Sequence, residues 1–460
     1  MVVNLKAHQL GPINFMKNNR GLILFHSTGS GKTLTAIYSM YQFDKDIIVI
    51  GPKSSKKAFD DNLKKTKFDK SKLTFYTYKK IKMIMLTNLE IFNDKCLIID
   101  EAHNLRSETT DNLLIISGLR LAYKVILLTA TPVINYLNDF AVLINIVKGY
   151  DILPTEKNVF NNIYFDENEF KIINEDILKE KMRNCISFYK QIDDENYPSY
   201  KMHEIEIEMN DDQLKEYAYY VRKIIHKDSN KKIDNIYEID FNQLDKKKKN
   251  FFLMVTRQLS NTVNNIITPK IQKVFDKIKN GQFPIIVYSN FLKNGIYTIA
   301  LLLEKHNITY KLITGNTTND KIEINVNDYN NRKFDVLLIS SAGSESLDLK
   351  NTRQIHILEP HWNEGKILQV IGRAIRFKSH ENLSKNNRNV DIYRWISVFP
   401  KNIINESADQ YLMEISKKKE SIFNKFMDLI GQVSIEQDNM AIGGFYQQYK
   451  KYKKLYMELK

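Results

Sequence analysis

Leu22-Ile23-Leu24-Phe25-His26-Ser27-Thr28-Gly29-Ser30-Gly31-Lys32-Thr33 is the stretch from which the rest of the chain can be read. Leu22 to Phe25 has the length and composition of a buried strand. Thr33 then opens a segment in which Leu34, Ile37 and Met40 recur at helical spacing. Strand, glycine loop and helix is the arrangement in which successive backbone N–H groups and a helix N-terminus converge on an anion. Read that way, His26, Ser27, Thr28, Gly29, Ser30 and Gly31 line the cradle. Lys32 reaches the β- and γ-phosphates of a nucleotide, and the Thr33 hydroxyl ligates Mg²⁺. The usual pattern is G-x-x-x-x-G-K-[ST], and His26 stands where its first Gly is expected. Gly29 and Gly31 remain for backbone positions that need positive φ. A Ser/Gly surface turn before a helix would look similar, so residues downstream decide.

The apolar run Cys96-Leu97-Ile98-Ile99 leads into Asp100-Glu101-Ala102-His103. Two adjacent carboxylates at the end of a buried strand are costly unless they have work there. Asp100 is suited to holding a hydrated Mg²⁺, and Glu101 to polarising an attacking water. Upstream, Gln9 either reads an adenine edge with its amide or is a surface residue. Further strands are expected at Ile47–Ile50, Leu73–Tyr78 and Val125–Leu128. The loops after the first two, Gly51–Ser55 and Lys79-Lys80, contact phosphate or are solvated turns. The third leads into Thr129-Ala130-Thr131-Pro132. This alternation predicts a parallel sheet with helices on both faces.

Residues 150–265 are dominated by charge, with helical spacing over Gln213–Lys227 and a lysine run at Lys246–Lys249. We expect a linker and a helical insertion. Alternation resumes with a helix from Ile271 and strands at Pro284–Tyr288, Tyr310–Thr314, Asp335–Ile339 and Gln354–Leu358. Gln369-Val370-Ile371-Gly372-Arg373-Ala374-Ile375-Arg376 follows, with Arg373 and Arg376 expected on one helix face. Two guanidinium groups so placed suit the charge of a γ-phosphoryl group in transfer, or an ordinary ion-pair surface. Ser407–Ile430 reads as an amphipathic helix expected to pack on the second half, and 445–460 alternates aromatics with lysines.

The net charge of +14 favours a polyanionic partner, although a Lys-, Asn- and Ile-rich composition inflates lysine without any binding role. Two cysteines cannot build a disulfide framework or a four-Cys zinc site, and we expect both reduced. No apolar leader stands at Met1–Leu10, and no run approaches the ~18 residues that span a bilayer. An intracellular chain with no membrane partner is expected.

Taken in order, the phosphate loop, Asp-Glu-Ala-His, Thr-Ala-Thr-Pro, the Ser289 strand end, Ser344-Glu345-Ser346-Leu347-Asp348 and Gln-x-x-Gly-Arg-x-x-Arg resemble superfamily 2 helicases and translocases over roughly residues 5–400. Asp348-Leu349-Lys350-Asn351 through His356-Ile357-Leu358-Glu359-Pro360-His361-Trp362-Asn363 resembles the Snf2-related branch. More narrowly, the chain is similar to nucleoside triphosphatase I and the early transcription factor ATPases of large cytoplasmic DNA viruses. The resemblance implies an α/β fold of two tandem RecA-like lobes, 1–150 and 266–400, with a linker and helical insertion at 151–265 and a helical basic tail at 401–460. It implies ATP and Mg²⁺ as cofactors, with Gln9, Lys32, Thr33, Asp100, Glu101, Gln369, Arg373 and Arg376 at the nucleotide. Ser54, Thr77 and Ser289 are implied as nucleic-acid contacts. Two residues depart from the family pattern: His26, and Ser346 in place of Gly. The expected activity is an ATP-dependent helicase or translocase on nucleic acid, DNA before RNA, in viral transcription. RNA polymerase or other transcription proteins are expected partners, and the host cytoplasm or virion the location. An RNA helicase, or a polymerase-docking subunit in which the ATPase is regulatory, are the alternatives.

Overall fold

The computed structural model describes residues 5–27, 29–106, 110–129, 136–166, 169–189, 196–225, 246–263, 266–341, 347–361, 364–376, 378–401, 403 and 405–436. Thr28, the Ala130-Thr131-Pro132 portion of the third motif, Ser344 to Ser346, Trp362-Asn363 and the 445–460 stretch lie outside the described residues. The chain forms two compact units, Met1–Ile192 with Lys419–Lys460, and Asp193–Lys418.

The first unit is built on six parallel strands: β1 (Gly21–His26), β2 (Ile47–Ile50), β3 (Leu73–Tyr76), β4 (Cys96–Asp100), β5 (Lys124–Thr129) and β6 (Ile186–Tyr189). Their order is β3-β2-β4-β5-β1-β6. β1, β2 and β5 are buried along their whole length, as strands covered by helices on both faces must be. This is why they read as continuous apolar runs rather than as alternation. Helix α1 (Ala7–Asn18) precedes β1 and was not legible, because Pro12 sits inside it and its apolar residues keep no helical period. Helix α2 (Lys32–Tyr41) starts one residue before the expected Thr33, with Gly31 as its N-cap.

The second unit repeats the plan with β7 (Ser199–Glu208), β8 (Ile285–Ser289), β9 (Tyr310–Ile313), β10 (Val336–Ser340), β11 (Gln354–Ile357) and β12 (Asn389–Val398), in the order β9-β10-β8-β11-β12-β7, again all parallel. Two tandem RecA-like α/β lobes are the result. Among the described residues, no helix is long and apolar enough to cross a membrane.

Two expectations about organisation change. Residues 151–265 are not only linker and insertion, because they supply an edge strand to each sheet, β6 beside β1 and β7 along ten residues of β12. β7 hides in a charge-rich stretch because its residues alternate Glu204, Ile205, Glu206, Ile207, Glu208, the pattern of a half-buried edge strand. The expected boundary at 150 moves accordingly to the stretch after β6. The C-terminal helix, Ala408–Val433, was expected to pack on the second lobe alone, and it divides at Lys418. Its last turns bury Phe426, Leu429, Ile430 and Val433 in the first unit's core, the Phe426 ring edge-on to Phe140 at 5.3 Å between centroids. Its first turn is tied to the second unit by a fully buried Lys270–Asp409 pair at 3.0 Å.

Removing the Phe426 ring leaves a cavity in the first unit, so Phe426→Ala should destabilise that unit by about 3–5 kcal/mol. Chemical denaturation of the variant checks this, and a loss below about 1 kcal/mol would contradict core packing by that helix end.

Candidate nucleotide site

The phosphate loop leaves the carboxyl end of β1, and Asp100 closes β4, so both lie on the edge of the sheet where open parallel sheets bind ligands. Gly29 and Gly31 take φ of 83° and 88°. The left-handed φ at Gly31 favours glycine, and a Cβ there would also come within 2.7 Å of Gln9 Nε2 on α1. Lys32 Nζ donates to the carbonyls of His26 and Ser27 at 2.7 and 3.1 Å. Burial pushes its pKa down, while Glu101 and then Asp100 oppose the shift. Thr33 is the second residue of α2.

Two loop assignments change. His26 does not line the cradle: it is the last residue of β1, fully buried, with Nε2 2.7 Å from Ser187 Oγ on β6. Gln9 keeps its amide inside the protein. Its Nε2 donates to Gly31 O at 3.3 Å and Thr35 Oγ1 at 3.2 Å, and its Oε1 accepts from Lys6 N at 2.8 Å. Gln9 thus braces the loop from below rather than presenting a free edge to a base. His8 adds a second brace, Nε2 lying 2.9 Å from Ser30 O.

Burial, the largest influence, raises the Asp100 pKa, and Glu101 adds to it. The Ser55 hydroxyl and Lys32 pull the other way. Glu101 sits at φ 50°, a left-handed conformation that non-glycine residues adopt at a cost and that clusters at functional sites. Its carboxylate is 3.4 Å from His103 Nδ1, which in turn lies 3.4 Å from Thr129 Oγ1 at the end of β5. Tyr78 holds this turn, its hydroxyl donating to the carbonyls of Asp100 at 2.8 Å and Glu101 at 3.2 Å. Sequence reasoning singles out neither Tyr78 nor Ser55: Ser55 reads only as part of the Gly51–Ser55 loop, and Tyr78 as the end of a strand that stops at Tyr76. The only signal for either was its position just past a strand end, which Ser54 and Thr77 share.

The residues present fit a nucleoside triphosphate with a hydrated divalent cation. Ser30 Oγ is buried without a partner in the loop, the glycines leave the backbone open, and a buried carboxylate lies opposite Lys32. Among the described residues no group of three or more His, Cys, Asp or Glu forms a self-sufficient metal site. One carboxylate and one hydroxyl suit a magnesium ion that keeps waters and phosphate oxygens.

The other candidates disperse. Ser54 is exposed in a short 3₁₀ turn. Thr77 caps helix α3 (Tyr78–Met85), its Oγ1 accepting from Lys80 N at 3.2 Å. Ser289, in the second unit, is fully buried and donates to the Glu359 carboxylate at 3.0 Å, so its hydroxyl is not offered to nucleic acid. A carboxylate buried that deeply needs donors, and Asn290 N and Asn261 Nδ2 supply others at 2.6 and 2.9 Å. Gln369 and Arg373 lie on the helix Glu364–Ala374. Arg376 falls past its end rather than on the shared face, with Nε donating to Gly372 O at 2.9 Å and Nη1 3.6 Å from Asp348.

Because the folded pKa of Asp100 lies above its unfolded value, the stability it contributes is present below the unfolded pKa and is lost as pH rises through the folded one. At neutral pH the ionised carboxylate therefore costs stability. Asp100→Asn should raise the thermal midpoint of the nucleotide-free protein at neutral pH, by less in mildly acid buffer. A midpoint unchanged or lowered in both would contradict the burial argument.

The SNF2-related domain family matches residues 41–267, and the helicase conserved C-terminal domain family matches residues 269–378. A protein of Acanthamoeba polyphaga mimivirus, provisionally named an ATP-dependent RNA helicase, is 56% identical over 440 residues, 95% of this chain and 99% of its own length. Nucleoside triphosphatase I of Choristoneura biennis entomopoxvirus is 26% identical, covering 92% of this chain and 77% of its own. An African swine fever virus protein named as a termination factor NPH-I homologue is 22% identical, with coverage of 91% and 76%. Among solved structures, the Pyrococcus furiosus Hef helicase domain shares the fold at a TM-score of 0.51 and 12% identity, over 90% of this chain and 98% of that one. With the phosphate loop and the Asp-Glu turn on the same edge of one parallel sheet, these matches place the chain in the SNF2-related family of ATP-dependent helicases and translocases, and it is an ATP hydrolase.

Proposed function

We propose that this enzyme is a translocase that tracks along duplex DNA and clears bound protein during transcription of a large DNA virus. The observation that carries this reading is the SNF2-related match over residues 41–267. The names of the nucleoside triphosphatase I and termination factor relatives support it. RNA polymerase or an associated transcription protein is the proposed partner, in the host cytoplasm or virion. The charge of +14 suits a polyanionic track, and binding should weaken steeply with salt.

In this reading the backbone of the loop and Lys32 hold the triphosphate, with Thr33 and Asp100 as the magnesium ligands. The bound ion would neutralise phosphate charge. Glu101 orients a water and takes its proton as the water oxygen bonds to the γ-phosphorus and the bond to ADP breaks. Arg373 and Arg376 are assigned the charge that spreads on the γ-phosphoryl group in transfer, and Gln369 an accessory place at the nucleotide. Ser54 remains a candidate contact to the nucleic-acid backbone. A second reading, an RNA helicase, is favoured by the name of the 56% identical relative.

Glu101→Gln should still bind ATP in an equilibrium titration while phosphate release falls about 10²–10⁴-fold. Turnover near that of the unaltered enzyme would refute the role of Glu101.

Hydrolysis measured at one fixed salt with no nucleic acid, single-stranded DNA, duplex DNA and RNA in turn separates the substrate readings. Stimulation by duplex DNA without separation of a forked duplex is expected. Stimulation by RNA together with strand separation would establish the second reading instead.

A further inference from the structure

His26 occupies the position where a phosphate loop ordinarily begins with glycine, and its imidazole runs down into the protein rather than toward the loop. Nε2 meets Ser187 Oγ at 2.7 Å, both residues being fully buried. Ser187 Oγ in turn donates to Oε1 of Glu436, and the other carboxylate oxygen accepts from Phe188 N at 3.0 Å. Glu436 is 249 residues from Ser187 in sequence, just beyond the helix Ala408–Val433. The backbone bond from Ile435 N to Ile186 O at 2.9 Å sets it beside the edge strand β6.

With the Glu436 carboxylate ionised and the buried His26 ring neutral, its pKa pushed well down by burial, this chain sets the direction of each proton. Ser187 has one hydroxyl hydrogen and gives it to the carboxylate, so toward His26 it accepts. His26 must therefore carry its proton on Nε2, which leaves Nδ1 bare, and Nδ1 is the ring nitrogen without a partner. The same residue offers its backbone carbonyl to Lys32 Nζ at 2.7 Å. The side chain of His26 is thus anchored below while its main chain sets where Lys32 rests.

We infer that Glu436 is a positioning residue for the ATP site, holding the start of the phosphate loop through Ser187 and His26. The inference rests on the reading of this loop as the ATP site. It makes nucleotide binding depend on a segment from the far end of the chain, through contacts lying entirely within the first unit. Burial raises the Glu436 pKa, while Ser187 and Phe188 pull it back, as expected of a carboxylate held by donors away from water.

Glu436→Gln keeps the shape and breaks the order. Its amide NH₂ faces either the Phe188 N–H or the Ser187 oxygen, and the latter turns the serine proton onto His26 and moves the imidazole proton to Nδ1. The expected result is a rise in KM for ATP of about tenfold, the size of losing one charge-assisted hydrogen bond. kcat should stay within about threefold, and the ¹⁵N shifts of His26 should report the other tautomer or a mixture. Ser187→Ala, a smaller change, should raise KM similarly. In a His26→Asn background, Glu436→Gln should add nothing further, because the relay is already cut. An unchanged KM in Glu436→Gln, or additive rises in the double variant, would overturn the inference. Lys32→Ala is titrated with nucleotide alongside. If it loses binding while Glu436→Gln keeps its KM, the relay fails and the ATP site stands. If Lys32→Ala binds normally, the site reading fails and takes the relay with it.

Discussion

Every strand pair in both six-stranded sheets is parallel, and the placement of the functional residues depends on it. Parallel pairing forces each strand to be followed by a crossover, and it gathers all the carboxyl ends on one edge. In the first sheet β5 lies between β1 and β4. With strands about 4.8 Å apart, the start of the phosphate loop and Asp100 stand roughly 10 Å from each other. That gap admits phosphate groups and a hydrated cation, and it holds Lys32 and two carboxylates close enough to shift one another's ionisation.

The first unit tolerates several costs at this edge. Asp100 ionises against burial, Glu101 takes a left-handed backbone, and Ser30 buries a hydroxyl without a partner. Such costs persist only where surrounding structure over-determines the geometry. Here Tyr78 fastens both carbonyls of the Asp-Glu turn, Gln9 and His8 brace the loop from α1, and β1 is buried along its full length. The rigidity sits beneath the loop, and its upper face is left to glycines.

The charge-rich middle and the C-terminal helix turn out to be structural. β6 and β7 complete the two sheets, and the helix Ala408–Val433 contributes to the core of one unit and a buried ion pair of the other. Cutting the chain at positions suggested by composition would remove a strand from each sheet.

The sequence by itself determined the phosphate loop, the Asp-Glu pair and most strands, because each is encoded within about a dozen contiguous residues, and the alternation of those strands with helices set the two-lobe α/β plan. Leu22–Phe25 and Cys96–Ile99 are apolar without interruption because parallel strands are covered on both faces, and Gly31 is a glycine because the loop takes a left-handed φ of 88° there. Only the tertiary structure decided what His26, Gln9, Ser289 and the last helix do. His26 meets a serine 161 residues away, and Ser289 a glutamate 70 residues away. A polar side chain is drawn to whatever partner burial brings near, and no local period records a partner that arrives from another part of the chain.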